Sequence, residues 1–224
     1  MPSWKIHSKI GNDILKKINI NKKYFMIGNL IPDQDKYNIP DLKSNVNRTI
    51  THYVSSNDLK IGINLPNYEK FYNKYKNKFY NPIIFGYLVH LLTDYYWNKY
   101  IYDKYFIKDG DNYVAVRLNP NGIYKCNFKE MNSMKQKDFK IFNQSLTVRK
   151  NNFRYCLNSK YFDELDEIKI TKHNVYLIGK FLNESHKKEN GNNDYSILNE
   201  KECIKITYGC EKFIISYLQS KHLI

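Results

Sequence analysis

His90 and Asp94 interrupt the most apolar stretch of the sequence, which opens at Pro82. Four residues apart on a helix, their side chains would leave one face about 6 Å from each other. An imidazole nitrogen and a carboxylate oxygen so placed can share a divalent cation such as zinc, which accepts both donors. Taken alone, such a pair in a buried helix is more often a hydrogen-bonded couple than a metal site. Company changes the balance. Histidine is scarce, six in the whole chain, and three of the six fall within the first ninety residues. His52 lies inside Thr49-Ile-Thr-His-Tyr, Asp33 directly follows Ile31-Pro32, and His7 lies near the start. Asp33 and His52 each have an ordinary reading, as a turn residue and a loop histidine. Together with His7, His90 and Asp94 they make a candidate ligand set.

The elements that must position these residues are mainly helical. Ile6, Ile10, Ile14 and Ile18 recur at four-residue spacing, which predicts an amphipathic helix over 5–18 with His7 turned inward. The apolar segment Tyr24–Leu30 runs into Pro32, which ends or kinks a helix and sets Asp33 at its C-terminal turn. Residues 34–65 are polar and turn-rich and read mostly as loop. Residues 66–79 read as a helix with Tyr68, Phe71, Tyr72, Tyr75 and Phe79 on its buried side and a Lys70/Lys74/Lys78 stripe on its wet side. Pro82 to about Tyr105 is the strongest helix and the central one. Gly86 sits one turn before His90 on the same face, where it costs about 1 kcal/mol relative to alanine. Either close approach of another backbone or ligand, or ordinary helix packing, accounts for it.

Asp109-Gly-Asp and Asn119-Pro-Asn-Gly bracket a short run and predict a hairpin or extended excursion near 109–128. Further helices are expected at about 129–150, 160–168, 172–188 and 197–220. The fold class is therefore all-α apart from that excursion, with residues 1–224 as one domain.

The order His7, Gly28-Asn-Leu-Ile-Pro-Asp33, Thr51-His52-Tyr and Gly86-Tyr-Leu-Val-His90-Leu-Leu-Thr-Asp94 resembles the zinc-dependent phospholipase C family, whose helical fold is shared with single-strand-specific zinc nucleases. The resemblance covers roughly residues 1–105. It implies one zinc held by Asp33, His52, His90 and Asp94, and a second held by His7 with Asp94 as the bridge. It also implies hydrolysis of a phosphoester by a metal-activated water, with Asp33 as the residue that takes the proton if it is not a tight ligand.

The sequence departs from the family in two places. Trp4 has three residues ahead of it, so its nitrogen is an amide and not the free amine that the secreted enzymes use as a ligand. After Asp94 the family's further histidine and His-x-x-x-Glu pair are missing, and the chain offers His173, His186 and His222 instead. His186 with Glu189 reads as a solvated pair, and His173 as an exposed first-turn residue behind a Thr171 cap.

Thirty-six Lys and Arg against 22 Asp and Glu give a formal charge of +14. That excess favours an anionic partner, such as nucleic acid, a phosphorylated solute or an anionic membrane surface, beside the phosphoester substrate that the resemblance implies; a merely solvated basic surface explains it about as well. No apolar run resembles a signal peptide or reaches the roughly 20 residues of a membrane span, so a cytoplasmic protein is expected. Cys126, Cys156, Cys203 and Cys210 lack CxxC spacing and read as reduced thiols, with Cys203 and Cys210 on one buried helical face. A non-catalytic domain held together by a structural metal is the main alternative to an enzyme.

Overall fold

Ser3 caps the first helix, α1 (Trp4–Ile14), by accepting the Ile6 amide, and buries Ile6, Ile10 and Ile14 together with His7. In this computed structural model, residues 2–37, 39, 42, 47–147, 153, 159–184 and 194–224 are described. The predicted helix to residue 18 stops early. The amides of Lys16 and Lys17 turn back onto the carbonyls of Asp13 and Ile14, which closes the last turn tightly. α2 (Lys22–Leu30) starts at the Asn21 cap and leads into a 3-10 segment, Ile31–Tyr37. Asp33 leaves helical geometry there, with φ −102° and ψ 17°, as Pro32 foretold.

The stretch expected to be mostly loop contains two short helices, α3 (Arg48–Thr51) and α4 (Ser56–Lys60), each begun by a side-chain cap, Asn47 and Ser55. Single-turn helices carry too few apolar positions to show a period, so their caps were their only sequence signal. α5 (Tyr68–Tyr75) follows the Asn67 cap, and Phe71 and Tyr75 are its buried residues. Tyr68 and Tyr72 are only partly buried. The lysine stripe on its other side is not uniformly free: Lys74 pairs with Asp166 and Glu167, and Lys70 lies over the Tyr53 ring.

α6 (Pro82–Tyr105) is the axis of the fold and is buried on nearly all sides as far as Asp94. α2 crosses it at Gly28 and Gly86, where the two backbones touch. A methyl on Gly28 would overlap the Ile83 carbonyl, and one on Gly86 would overlap the Phe25 carbonyl. Close backbone approach is thus the reason for the mid-helix glycine.

Beyond α6 the predicted excursion is a small antiparallel sheet in the order β1 (Phe106–Asp109), β2 (Asn112–Arg117), β3 (Ile123–Lys125), with Phe106 opposite Val116 and Ala115 opposite Lys125. α7 (Phe128–Ser145) opens on a reciprocal capping box between Asn127 and Glu130. α8 (Lys172–Glu184) and α9 (Glu200–Ser220) complete the helices, and α9 packs on α6 and α1.

The helix expected at 160–168 is replaced by a 3-10 turn, Ser159–Tyr161, and irregular chain. Tertiary bonds decide this segment. Glu167 accepts hydrogen bonds from Tyr53, from Tyr75 at 2.7 Å and from Lys74 at 2.6 Å, and the Asp166 amide donates to Tyr75 Oη. Cys203 and Cys210 are buried free thiols, as expected. Cys156, His186 and Glu189 lie outside the described residues. Thr171 accepts the Asn174 amide as a cap should, leaving His173 exposed. Among the described residues no helix is long and apolar enough to cross a membrane.

Candidate metal centre

Asp33, His52, His90 and Asp94 converge although 61 residues separate the first from the last. One nitrogen or oxygen from each lies within 4.8 Å of the others, and all four side chains are fully buried. α6 supplies His90 and Asp94 from one face. The kink after Pro32 turns Asp33 toward them. His52 arrives as the C-terminal cap of α3, fixed by the Tyr87 hydroxyl, which donates to the Thr51 carbonyl at 2.7 Å.

Hydrogen bonds orient both imidazoles. His90 Nδ1 lies 3.0 Å from the Asn29 carbonyl, which can only accept, so Nδ1 carries the proton and Nε2 turns a lone pair inward. The glycine crossing of α2 over α6 makes this contact, since Asn29 directly follows Gly28. His52 Nδ1 sits 2.7 Å from Thr51 Oγ1, and its Nε2 faces His90 Nε2 at 3.1 Å.

The carboxylates close the arrangement. Asp33 Oδ1 lies 3.5 Å from His52 Nε2 and 3.9 Å from His90 Nε2, and Asp94 Oδ2 lies 3.4 and 3.8 Å from the same atoms. Ligand atoms on a tetrahedral zinc, each bonded at about 2.0–2.1 Å, stand roughly 3.3 Å apart. The observed separations bracket that value.

Electrostatics prepare the donors for a cation. Burial lowers His52 to about 4, with the Arg48 charge adding to the effect, and burial holds His90 well below the ordinary imidazole value. Burial alone would raise the Asp94 carboxyl, yet the imidazoles of His52 and His7 beside it hold it well below the usual range. At neutral pH both imidazoles are therefore neutral and Asp94 is ionised, the states in which all three bind metal.

His7 is brought to the edge of this cluster. Its ring stacks on His90 with centroids 4.0 Å apart, and its Nε2 stands 3.1 Å from Asp94 Oδ1. The approach is not aligned as a hydrogen bond, and His7 Nε2 and Asp94 Oδ1 have no hydrogen-bond partner among the described residues. Two buried polar atoms left facing each other in this way suit a cation between or beside them. Trp4 sits in the first turn of α1, and its indole donates to the Leu30 carbonyl at 2.9 Å.

Sequence reasoning passed over Arg48. Its Nη1 donates to Asp33 Oδ1 at 3.1 Å and its Nη2 to Asp94 Oδ2 at 3.3 Å. The available signal was scarcity: only four of the 36 basic residues are arginine, and one stands four places before His52. Asn29 and Thr51, which set the two imidazoles, were also missed, because backbone carbonyls and short hydroxyls carry no pattern. Partners of this kind typically weaken metal binding about 10–100-fold when lost. Thr51→Val is expected to weaken zinc binding within that range, read by competition with a chelator of known affinity; unchanged affinity would show that the hydroxyl does not orient His52.

The donor set fits zinc, with two neutral nitrogens and two carboxylates and a flanking histidine. Comparison with known proteins agrees. The family model described as zinc dependent phospholipase C matches residues 4–171, well past the front half that carries the motifs. No curated protein and no solved structure matches the chain. The match and the buried Asp/His/His/Asp cluster together mark a metal-dependent hydrolase: the chain belongs to the zinc-dependent phospholipase C family.

Proposed function

We propose that the protein hydrolyses the phosphoester bond of a phospholipid-type substrate, with zinc held by Asp33, His52, His90 and Asp94 in one domain spanning residues 1–224. The observation that carries the reading is the pair of Nε2 atoms of His52 and His90, 3.1 Å apart. His90 Nε2 is an acceptor, and if Thr51 takes the Nδ1 proton of His52 then two lone pairs confront each other unless a cation lies between them. A bound zinc supplies a Lewis acid that lowers the pKa of water toward about 7 and polarises a phosphoryl oxygen.

The chain's own residues do the rest. Asn29 and Thr51 hold the imidazoles in register, and Asp94 adds negative charge between His7 and His52. Asp33, at the kink, is the residue that would take the proton from the attacking water if it is not a tight ligand of the zinc. His7 with Asp94 Oδ1 forms the start of a second cation position. The net charge of +14 supports an anionic substrate, and an anionic membrane surface as the place where it is met.

The test is turnover by zinc-loaded protein on a phospholipid and on a generic phosphodiester. Hydrolysis is expected, and His52→Ala should abolish it. Absence of turnover with zinc bound would refute the enzymatic reading.

One observation favours a second reading. All four ligand side chains are fully buried, as in a closed structural site. A structural metal would unfold the protein when a chelator removes it, whereas a catalytic one leaves most of the fold in place.

A further inference from the structure

We propose that Arg48 is the residue that receives the phosphoryl group of the substrate, an inference that rests on the zinc hydrolase reading above. His7, Asp33, His52, His90 and Asp94 have no side-chain exposure, whereas the Arg48 side chain is 26% exposed. Arg48 thus links the buried cluster to solvent.

The guanidinium is held in place by three acceptors. Nε donates to Asn64 Oδ1 at 3.1 Å, and the backbone carbonyl of Asn64 accepts from Nδ2 of Asn98, one helical turn after Asp94 on α6, at 2.9 Å. Nη1 and Nη2 each spend one hydrogen on a carboxylate. Of the five N–H groups an arginine carries, one on each terminal nitrogen remains without a partner among the described residues. The parallel pair is the one the two carboxylates hold, so these remaining N–H groups point along different edges of the plane, and each can donate to a phosphate oxygen.

Charge points the same way. Asp33 and Asp94 balance a bound divalent ion, so without Arg48 the loaded site would be neutral. With Arg48 it keeps a surplus positive charge, which attracts an anion and not a neutral ester. The same two oxygens that face the imidazoles, Asp33 Oδ1 and Asp94 Oδ2, anchor the fork. A phosphate received by Arg48 would therefore lie one residue away from the cation and not at a remote surface.

The probes are zinc alone and then inorganic phosphate, titrated by calorimetry into the wild type, Arg48→Met and Arg48→Lys. Wild-type protein should bind zinc, and the loaded form should bind phosphate. Arg48→Met should bind zinc at least as tightly, because a positive neighbour has gone, but bind phosphate more weakly by about tenfold or more. Arg48→Lys, keeping the charge and losing the fork, should fall between. Phosphate affinity unchanged in Arg48→Met would overturn the proposal. So would a parallel loss of zinc and phosphate binding, the mark of a residue that merely holds the carboxylates. Zinc binding without phosphate binding in the wild type defeats the Arg48 proposal alone, whereas failure of the wild type to take up zinc defeats the hydrolase reading beneath it. Should Arg48→Met not fold, Arg48→Lys decides: weaker phosphate binding there upholds the part of the guanidinium, and wild-type phosphate affinity rejects it.

Discussion

Asp94→Asn is expected to lower zinc affinity by more than about 100-fold, exceeding the loss typical of an outer hydrogen-bonding partner, and to stop turnover altogether. Asp94 is the one residue in contact with every other charged or imidazole group of the centre except Asp33: His7 at 3.1 Å, Arg48 at 3.3 Å, His52 at 3.4 Å and His90 at 3.8 Å. The amide keeps the shape but removes a full negative charge from a fully buried place. Zinc would then be drawn by a single carboxylate, with the Arg48 charge still beside it. The measurement is zinc content after dialysis against a buffered free-zinc series, with circular dichroism to establish that the variant is folded. A folded Asp94→Asn protein that retains stoichiometric zinc at wild-type affinity would remove Asp94 from the ligand set.

Gly86→Ala should be among the most disruptive single methyls in the protein. Alanine ordinarily gains about 1 kcal/mol over glycine inside a helix. Here the added carbon would overlap the Phe25 carbonyl and stand 3.0 Å from the Asn29 nitrogen. Both obstacles are backbone, so neither can swing aside as a side-chain tip would. Overpacking of this sort costs about 1–3 kcal/mol and occasionally more. Less the helix gain, a net loss of up to about 2 kcal/mol would lower the melting temperature by up to roughly 4–8 °C in a chain of this length. The shift should carry a functional signature as well. Parting α2 from α6 moves the Asn29 carbonyl away from His90 Nδ1, so zinc affinity should fall even where the variant is fully folded. Thermal melts and zinc titrations of Gly86→Ala check both halves. A variant as stable as wild type would mean that the helices do not cross as closely as described.

The contrast between what could and could not be read from the sequence follows from range. His90 and Asp94 were legible because a helix fixes residues four apart on one face. Asp33 was legible because proline dictates the local backbone, and the kink lies where Pro32 puts it. His7 turned inward because the isoleucine spacing set its face. The resemblance to a family joined these local signals into one site, and the distances then brought the ligands together. Arg48 escaped because α3 is a single turn in a polar stretch, with no period to assign it a direction. The misplaced helix at 160–168 has the same origin. Its course is set by Tyr53, Lys74 and Tyr75, more than eighty positions earlier, and no window of neighbouring residues contains that information.

That last contact has a consequence for how the protein can be subdivided. Tyr53 follows His52 directly and holds an unfavourable backbone angle, φ 54°, while its hydroxyl is gripped by Glu167. A non-glycine residue in that region costs on the order of 1–3 kcal/mol and persists only where its surroundings enforce it. The front of the chain, with its candidate metal centre, is thus not a portable cassette. Any attempt to graft residues 1–105 onto another scaffold, or to trim the protein back to them, discards the carboxylate that keeps the His52 loop bent into place.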